Sequence, residues 1–163
     1  MSAGIDAEAL GWAADTIGEL DHRRLKAPSV KLRGAHMGPG GDVVYAIDLR
    51  WRPPNAGVCM NSAVLHSLEH FLLEGFGRLL PAHFIGVGVM GCQTGFYLTL
   101  LNEGRREVIE QALATILRGV LTATEVPYAS IEQCGHWRHH DLAGAQGVAR
   151  GVLARRAAWR EVA

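Results

Sequence analysis

The chain has 163 residues, a length at which one domain can bury a sizeable core. Its 16 basic and 16 acidic residues balance, so no charge excess favours binding to nucleic acid or to an anionic membrane. No apolar run reaches the roughly 20 residues of a membrane-spanning helix, and the first residues do not have the pattern of a secretory signal. The three cysteines cannot all pair within the chain. We therefore expect reduced thiols and a cytoplasmic protein.

The chain is predicted to be a single domain over residues 1–163, with residues 1–20 forming an N-terminal arm or helix. Loose helical periodicity is present in residues 6–17. Two strands are predicted next, over 29–36 and 42–50, because apolar side chains alternate in the second of them. The glycine-rich segment between these strands provides a tight turn.

A helix is predicted to begin at Asn61 or Ser62, which are good N-cap residues, and to stop before Pro81. The remaining predicted elements are strands over 84–90 and 94–101, an amphipathic helix over 108–121 and a final helix that Asp141 caps. This order of strands and helices predicts an α+β fold, in which an antiparallel sheet has its helices packed on one face.

The segment LHSLEH places His66 and His70 one turn apart on the same helical face, where both imidazoles can reach one divalent ion. Glu69 precedes the second histidine and is placed to act as a base beside such an ion. The apolar neighbours Leu68 and Phe71 indicate that this face is buried, and buried histidines cost free energy unless they are paired or ligated. The alternative is an ordinary amphipathic helix that is rich in histidine.

A third ligand must come from outside this helix, and spacing alone does not select it. The candidates are His22, His36, His83, Cys59, Cys92, Cys134, His136, His139 and His140. Cys92 lies between Gly91 and Gly95 in a predicted turn between strands, which can leave its thiol open to a ligand. The alternative is that this cysteine is simply a small buried side chain.

Three segments together, LHSLEH, MGCQTGFYL and EQCGHWRHHDLAGA, resemble the S-ribosylhomocysteine lyase (LuxS) family. ELDHRRLKAP near the N-terminus and DLR at the end of the second strand match the same family, and the resemblance covers about residues 16 to 155. It implies a LuxS-like metalloenzyme fold. The implied activity is cleavage of a carbon–sulfur bond in S-ribosylhomocysteine, which gives homocysteine and 4,5-dihydroxy-2,3-pentanedione. The second product is the precursor of autoinducer-2, a quorum-sensing signal.

The resemblance also implies roles for particular residues. His66, His70 and Cys134 would be the metal ligands, with water or substrate in the fourth place. The metal would be ferrous iron, which zinc or cobalt can replace. Glu69 and Cys92 would be the two acid/base groups.

Two further residues, His22 and Arg50, correspond to positions that shape the substrate pocket in this family. Family members are homodimers, and their active sites lie at the subunit interface. Each site is completed by the N-terminal segment of the partner, so the resemblance assigns His22 to the neighbouring site. The expected partners are therefore a small sugar thioether and a second copy of the chain, without nucleic acid or membrane.

The sequence departs from the family where a lysine and an aspartate usually help to hold the amino-acid end of the substrate. The corresponding residues are Ala46 and Gly86, and a serine usual near the N-terminus is also missing. An alternative prediction is therefore a LuxS-like lyase or isomerase that acts on a different ribosyl thioether.

Two other classes of protein remain open. A zinc hydrolase would use the His66, Glu69 and His70 group without needing Cys92. A structural metal module would need a closed site, in which His136 could be the fourth ligand beside Cys134. Although both are among the candidate ligands above, His139 and His140 are expected to be surface or capping residues before Asp141. The arginines of the last helix are expected to form a solvated face.

Overall fold

The computed structural model describes residues 5–163, which form one antiparallel sheet and three α-helices. The sheet has four strands in the order β1-β2-β4-β3. The elements are β1 (Ser29–Met37), β2 (Val43–Arg50), α1 (Ser62–Leu79), β3 (Phe84–Val89), β4 (Gly95–Leu101), α2 (Arg106–Thr122) and α3 (Leu142–Ala154). The predicted α+β class and the antiparallel sheet are confirmed.

The two faces of the sheet differ in chemistry, as the alternation in β2 predicts. Leu32, Ile47 and Leu98 lie side by side on three strands, and all three belong to the hydrophobic core that includes the helices. On the opposite face, Lys31 and Asp48 pair with 3.2 Å between Nζ and Oδ2. The helices therefore cover one face of the sheet and leave the other face to polar and charged groups.

Helix α1 is fixed at its start and along its length. The side chain of Asn61 caps the helix by accepting a hydrogen bond from the backbone N–H of Val64 at 2.9 Å. Farther along, Gly75 lets the helix approach α2, because a Cβ atom at this position would lie 2.3 Å from Cγ1 of Ile116. The helix that carries both histidines of the LHSLEH segment is therefore held against the core.

Residues 5–20 form an arm made of turns rather than a continuous helix. Residues 1–4 of the predicted arm lie outside the described residues. Gly11 has a φ of 90°, which breaks a right-handed helix, and only Ala14–Thr16 form a short 3-10 turn. The indole of Trp12 donates to the carbonyl oxygen of Gly104 at 2.7 Å and holds the arm on the domain. Within residues 5–163, no helix combines the length and apolar character needed to cross a membrane.

Candidate metal centre

Four possible ligand atoms meet at one end of α1. They belong to His66, His70, Cys134 and His140, and they all lie within 4.8 Å of one another. Sγ of Cys134 is 3.3 Å from Nε2 of His66 and 3.9 Å from Nε2 of His140. The three residues that the resemblance names as ligands are thus brought together. His140 joins them, so its predicted place among surface or capping residues is wrong.

The two histidines on α1 are oriented by backbone carbonyl groups. Nδ1 of His66 lies 2.8 Å from the carbonyl oxygen of His139, and Nδ1 of His70 lies 2.6 Å from that of Pro127. A carbonyl oxygen can only accept, so each Nδ1 carries the hydrogen. In the neutral ring the lone pair is then on Nε2, which is the arrangement found in histidines that bind metals.

His140 is oriented in the same way by a serine. Ser67 Oγ donates to the carbonyl oxygen of Ala63 at 2.8 Å and accepts from the backbone N–H of Asp141 at 2.8 Å. The single hydroxyl hydrogen of Ser67 is therefore already donated to Ala63. Nδ1 of His140, which is 3.3 Å from this oxygen, must then be the donor between the two. The lone pair of His140 is left on Nε2, the nitrogen that lies near Cys134.

The close packing of the imidazoles keeps His140 neutral. Its ring centroid lies 4.1 Å from that of His66 and 4.7 Å from that of His70. Burial, followed by the charges that neighbouring histidines would carry, lowers the pKa of His140 to about 4. A neutral imidazole is the form that binds a metal. Three imidazoles and a thiol are a donor set that fits one ion of zinc, ferrous iron or cobalt.

His136, which could close a structural site on sequence grounds, lies outside this group. Its ring is exposed and stacks on His139 with 4.9 Å between centroids. Its backbone N–H, not its ring, points to Sγ of Cys134 at 3.4 Å. Among the described residues, the third imidazole of the cluster is therefore that of His140.

Glu69 lies beside the cluster in a cavity of about 220 Å³. One wall comes from α1 and contains His66 and Glu69, and the opposite wall includes Gly91 and Gln93 of the turn between β3 and β4. The turn is held by a hydrogen bond from the backbone N–H of Gln93 to the carbonyl oxygen of Met90 at 2.8 Å. The carboxylate and an imidazole of the cluster therefore face the same small space.

Cys92 lines a second cavity, of about 380 Å³, which borders the same turn. His22, Arg50 and Thr94 line the same space, together with the loop 53–59. His22 thus reaches the Cys92 cavity of its own chain, whereas the resemblance assigns it to the partner's site. The turn between β3 and β4 borders both cavities: Gly91 and Gln93 line the first, and Cys92 and Thr94 line the second.

The surroundings of Cys92 favour its thiolate. Sγ lies 3.0 Å from Oγ1 of Thr94, and that hydroxyl accepts a hydrogen bond from Nη1 of Arg50 at 2.7 Å. Burial raises the pKa of the Cys92 thiol, but hydrogen bonds from Thr94 and the positive charge of Arg50 outweigh burial and leave the pKa below its usual value. A lowered pKa distinguishes a reactive thiol from a buried structural one.

The fold and the cluster together define an α+β protein with a candidate site for one metal ion, a carboxylate beside it and a nearby thiol whose pKa is lowered. Residues 18–163 match the family model described as S-Ribosylhomocysteinase (LuxS). The chain belongs to the LuxS family, as the resemblance predicts.

Several relatives align with most of this chain. A protein named S-ribosylhomocysteine lyase from Halobacillus halophilus is 45% identical over 143 residues, covering 88% of this chain and 93% of the relative. Relatives with the same name from Dichelobacter nodosus and Listeria monocytogenes are 44% and 41% identical, and 88% of this chain is covered in each case. These alignments cover 92% and 91% of the two relatives.

Proposed function

We propose that this protein is a metal-dependent carbon–sulfur lyase that cleaves S-ribosylhomocysteine to homocysteine and 4,5-dihydroxy-2,3-pentanedione. One observation carries the proposal: the turn between β3 and β4 presents Cys92 to one cavity and borders the Glu69 cavity beside the imidazole cluster. Relatives that are 41 to 45% identical carry the name of this activity.

In this proposal His66, His70 and Cys134 hold a divalent ion, with ferrous iron as the working metal. The ion supplies Lewis-acid polarisation of the sugar carbonyl, which makes the neighbouring C–H group acidic. The imidazoles of His66 and His70 are oriented for metal binding, because their Nδ1–H groups donate to the carbonyl oxygens of His139 and Pro127.

Two residues carry protons in the proposed reaction, Cys92 as thiolate and Glu69 as carboxylate. In each carbonyl shift, the carbon beside the carbonyl loses its C–H proton and its hydroxyl proton, the former carbonyl carbon gains a proton, and the former carbonyl oxygen gains a proton. Two shifts move the carbonyl from C1 to C2 and then to C3. A proton then leaves C4, the C5–S bond breaks, and the electron pair of that bond departs with the thiolate of homocysteine. The lowered pKa of Cys92 increases the fraction of its side chain that is present as thiolate at a given pH.

The proposal requires a reduced thiol at Cys92 and therefore includes a cytoplasmic location. All three cysteines of the chain are free. The substrate cavity is proposed to be the one beside Cys92, where Arg50 and His22 line the wall. Its volume of about 380 Å³ is sufficient for part of a small sugar thioether.

The direct test is an anaerobic assay of free thiol released from S-ribosylhomocysteine by the protein loaded with ferrous iron. We expect release by the wild type and by Cys59→Ala, whose exposed thiol lines the same cavity as Cys92. We expect no release by Cys92→Ala. A hydrolase would keep its activity after Cys92→Ala, and absence of thiol release by the wild type would refute the proposal.

A second candidate function is the same chemistry on a different ribosyl thioether, in which another group replaces homocysteine. Ala46, Thr99 and Gly86 are paired on one row of the sheet, and a Cβ atom at Gly86 would meet nothing within 4 Å. The two positions that carry charge elsewhere in the family are thus neighbours across one strand, and here both are small and uncharged. Thiol release from a panel of ribosyl thioethers tests this candidate. It fails if S-ribosylhomocysteine has the highest kcat/KM in the panel.

We also propose that the protein is a homodimer. The edge strand β3 exposes Ile85 and Val89 at 57% and 42% of their surface, which leaves apolar area for a partner. Sedimentation equilibrium should give twice the 17.6 kDa mass of the chain. A single species at 17.6 kDa would contradict the dimer.

A further inference from the structure

We propose that Cys59 and Cys92 form an oxidative modification site, in which hydrogen peroxide converts the two thiols into one reversible disulfide. Cys92 is the thiol that reacts with peroxide, and Cys59 is the thiol that then resolves the oxidised product. Formation of this bond does not depend on the reaction of the protein. Its effect on activity rests on the proposed function, because a Cys92 held in a disulfide has no thiolate with which to carry a proton.

The two thiols share one cavity. Cys59 and Cys92 are both exposed, and both line the cavity of about 380 Å³ that also contains Arg50. The third cysteine of the chain, Cys134, is less exposed and belongs to the imidazole cluster. A small oxidant that enters the cavity therefore meets Cys59 and Cys92 together.

A backbone hydrogen bond ties the neighbours of these two cysteines to each other. The N–H of Met60 donates to the carbonyl oxygen of Gln93 at 3.0 Å. Met60 follows Cys59 directly and Gln93 follows Cys92 directly. By standard backbone dimensions, this bond keeps the Cα atoms of the two cysteines within about 12 Å of each other.

The loop 53–59 has the freedom to close the remaining distance, which for a disulfide is about 4.4 to 6.8 Å between Cα atoms. Its start is anchored at Arg52, whose N–H donates to the carbonyl oxygen of Thr94 at 3.0 Å. Between the anchors, residues 55–59 are all exposed. Among the described residues, nothing lies within 4 Å of a Cβ placed on Gly57. The loop can therefore move towards Cys92 while both of its ends stay in place.

The surroundings of Cys92 suit the first step of the oxidation. The hydroxyl of Thr94 and the charge of Arg50 favour its thiolate, which is the form that attacks peroxide. The attack breaks the O–O bond, leaves Cys92 as a sulfenic acid and releases hydroxide. The thiolate of Cys59 then attacks the sulfur of Cys92, and the S–O bond breaks with loss of a second hydroxide. The protons of the two thiols convert both hydroxides to water, and two electrons pass from sulfur to peroxide.

Peptide mapping of the zinc-loaded protein tests the bond, since zinc avoids the reaction of ferrous iron with peroxide. The protein is treated with hydrogen peroxide, blocked with N-ethylmaleimide and digested with trypsin without reduction. We expect a disulfide between peptides 51–78 and 79–105, which contain Cys59 and Cys92. Absence of this disulfide, or a disulfide that instead joins Cys134 or two chains, would overturn the proposal.

Two variants separate the role of the Cys59 thiol from that of its loop. Cys59→Ser removes the resolving thiol, whereas Val58→Ser changes the neighbouring exposed residue and keeps both thiols. After excess peroxide and then dithiothreitol, Cys92 should be a free thiol in wild type and in Val58→Ser. In Cys59→Ser it should be a sulfinic acid, which dithiothreitol does not reduce. The same state of Cys92 in all three proteins would refute the role of Cys59.

The effect on activity is measured separately on the wild type. Protein in which the map shows the disulfide should release no thiol from S-ribosylhomocysteine, and release should return after dithiothreitol and desalting. Release by the disulfide-bonded protein would refute control of activity by this bond. If untreated wild type released no thiol, the proposed lyase would fail, and the peptide map would still decide whether the disulfide forms.

Discussion

The hydroxyl of Thr94 lies 3.0 Å from Sγ of Cys92 and is itself held by Nη1 of Arg50 at 2.7 Å. Because Arg50 donates to the oxygen, the hydroxyl hydrogen of Thr94 can be donated to the Cys92 thiolate at 3.0 Å, which is nearer than its other acceptor, Sδ of Met90, at 3.8 Å. Removing this hydrogen bond should raise the pKa of Cys92 towards that of a simple thiol.

The pH dependence of alkylation at Cys92 measures this effect. We expect the midpoint of the iodoacetamide rate, followed for the Cys92 peptide by mass spectrometry, to lie below that of a small-molecule thiol. Thr94→Val should move the midpoint to higher pH, whereas Thr94→Ser keeps the hydroxyl and should leave it in place. The same midpoint in wild type and Thr94→Val would show that this hydrogen bond does not tune the thiol.

Replacement of Glu69 by glutamine should impair proton transfer while leaving the size of the side chain unchanged. General acid/base groups contribute about 10² to 10⁴-fold to rates, so kcat for thiol release should fall at least about 10²-fold. The matched control is Glu74→Gln on the same helix, because Glu74 pairs with Arg78 on the surface at 2.7 Å. If Glu69→Gln retained the kcat of Glu74→Gln, Glu69 would not be an acid/base group.

The contact between α1 and α2 predicts opposite effects for two glycine substitutions. In Gly75→Ala the new methyl group would lie 2.3 Å from Cγ1 of Ile116, and the overpacking should lower the free energy of unfolding by about 1–3 kcal/mol. In Gly77→Ala the nearest atom is 3.7 Å away, so the helix propensity of alanine should be neutral or stabilising by up to about 1 kcal/mol. Urea denaturation measures both values. Equal stability of the two variants would contradict this description of the helix packing.

Sequence patterns predicted the parts of the site that depend on local geometry. The spacing of His66 and His70 is sufficient to place two imidazoles on one face, because helical periodicity does not depend on the rest of the fold. The start of α1 followed from Asn61, whose side chain does cap the helix. The alternation of apolar side chains in β2 predicted which face of the strand is buried, because the two-residue period of a strand is also a local property.

The remaining features depend on contacts between distant segments. His140 and His139 are adjacent in an irregular segment, and periodicity cannot tell which ring turns inward. The hydrogen bond from Asp141 to Ser67 fixes the choice, across 74 positions of sequence. The N-terminal arm is another example, since Gly11 adopts a positive φ and Trp12 is anchored on Gly104, far along the chain.

The central claim is that one ion held by His66, His70 and Cys134 is required for carbon–sulfur cleavage. Its most direct test is to strip the metal anaerobically, add ferrous iron in steps, and measure bound iron together with thiol release from S-ribosylhomocysteine. The account predicts no release by the stripped protein and a rise in proportion to bound iron that saturates at one ion per chain. Cys134→Ala should bind iron weakly and release little thiol. Full thiol release by metal-free protein would contradict the claim.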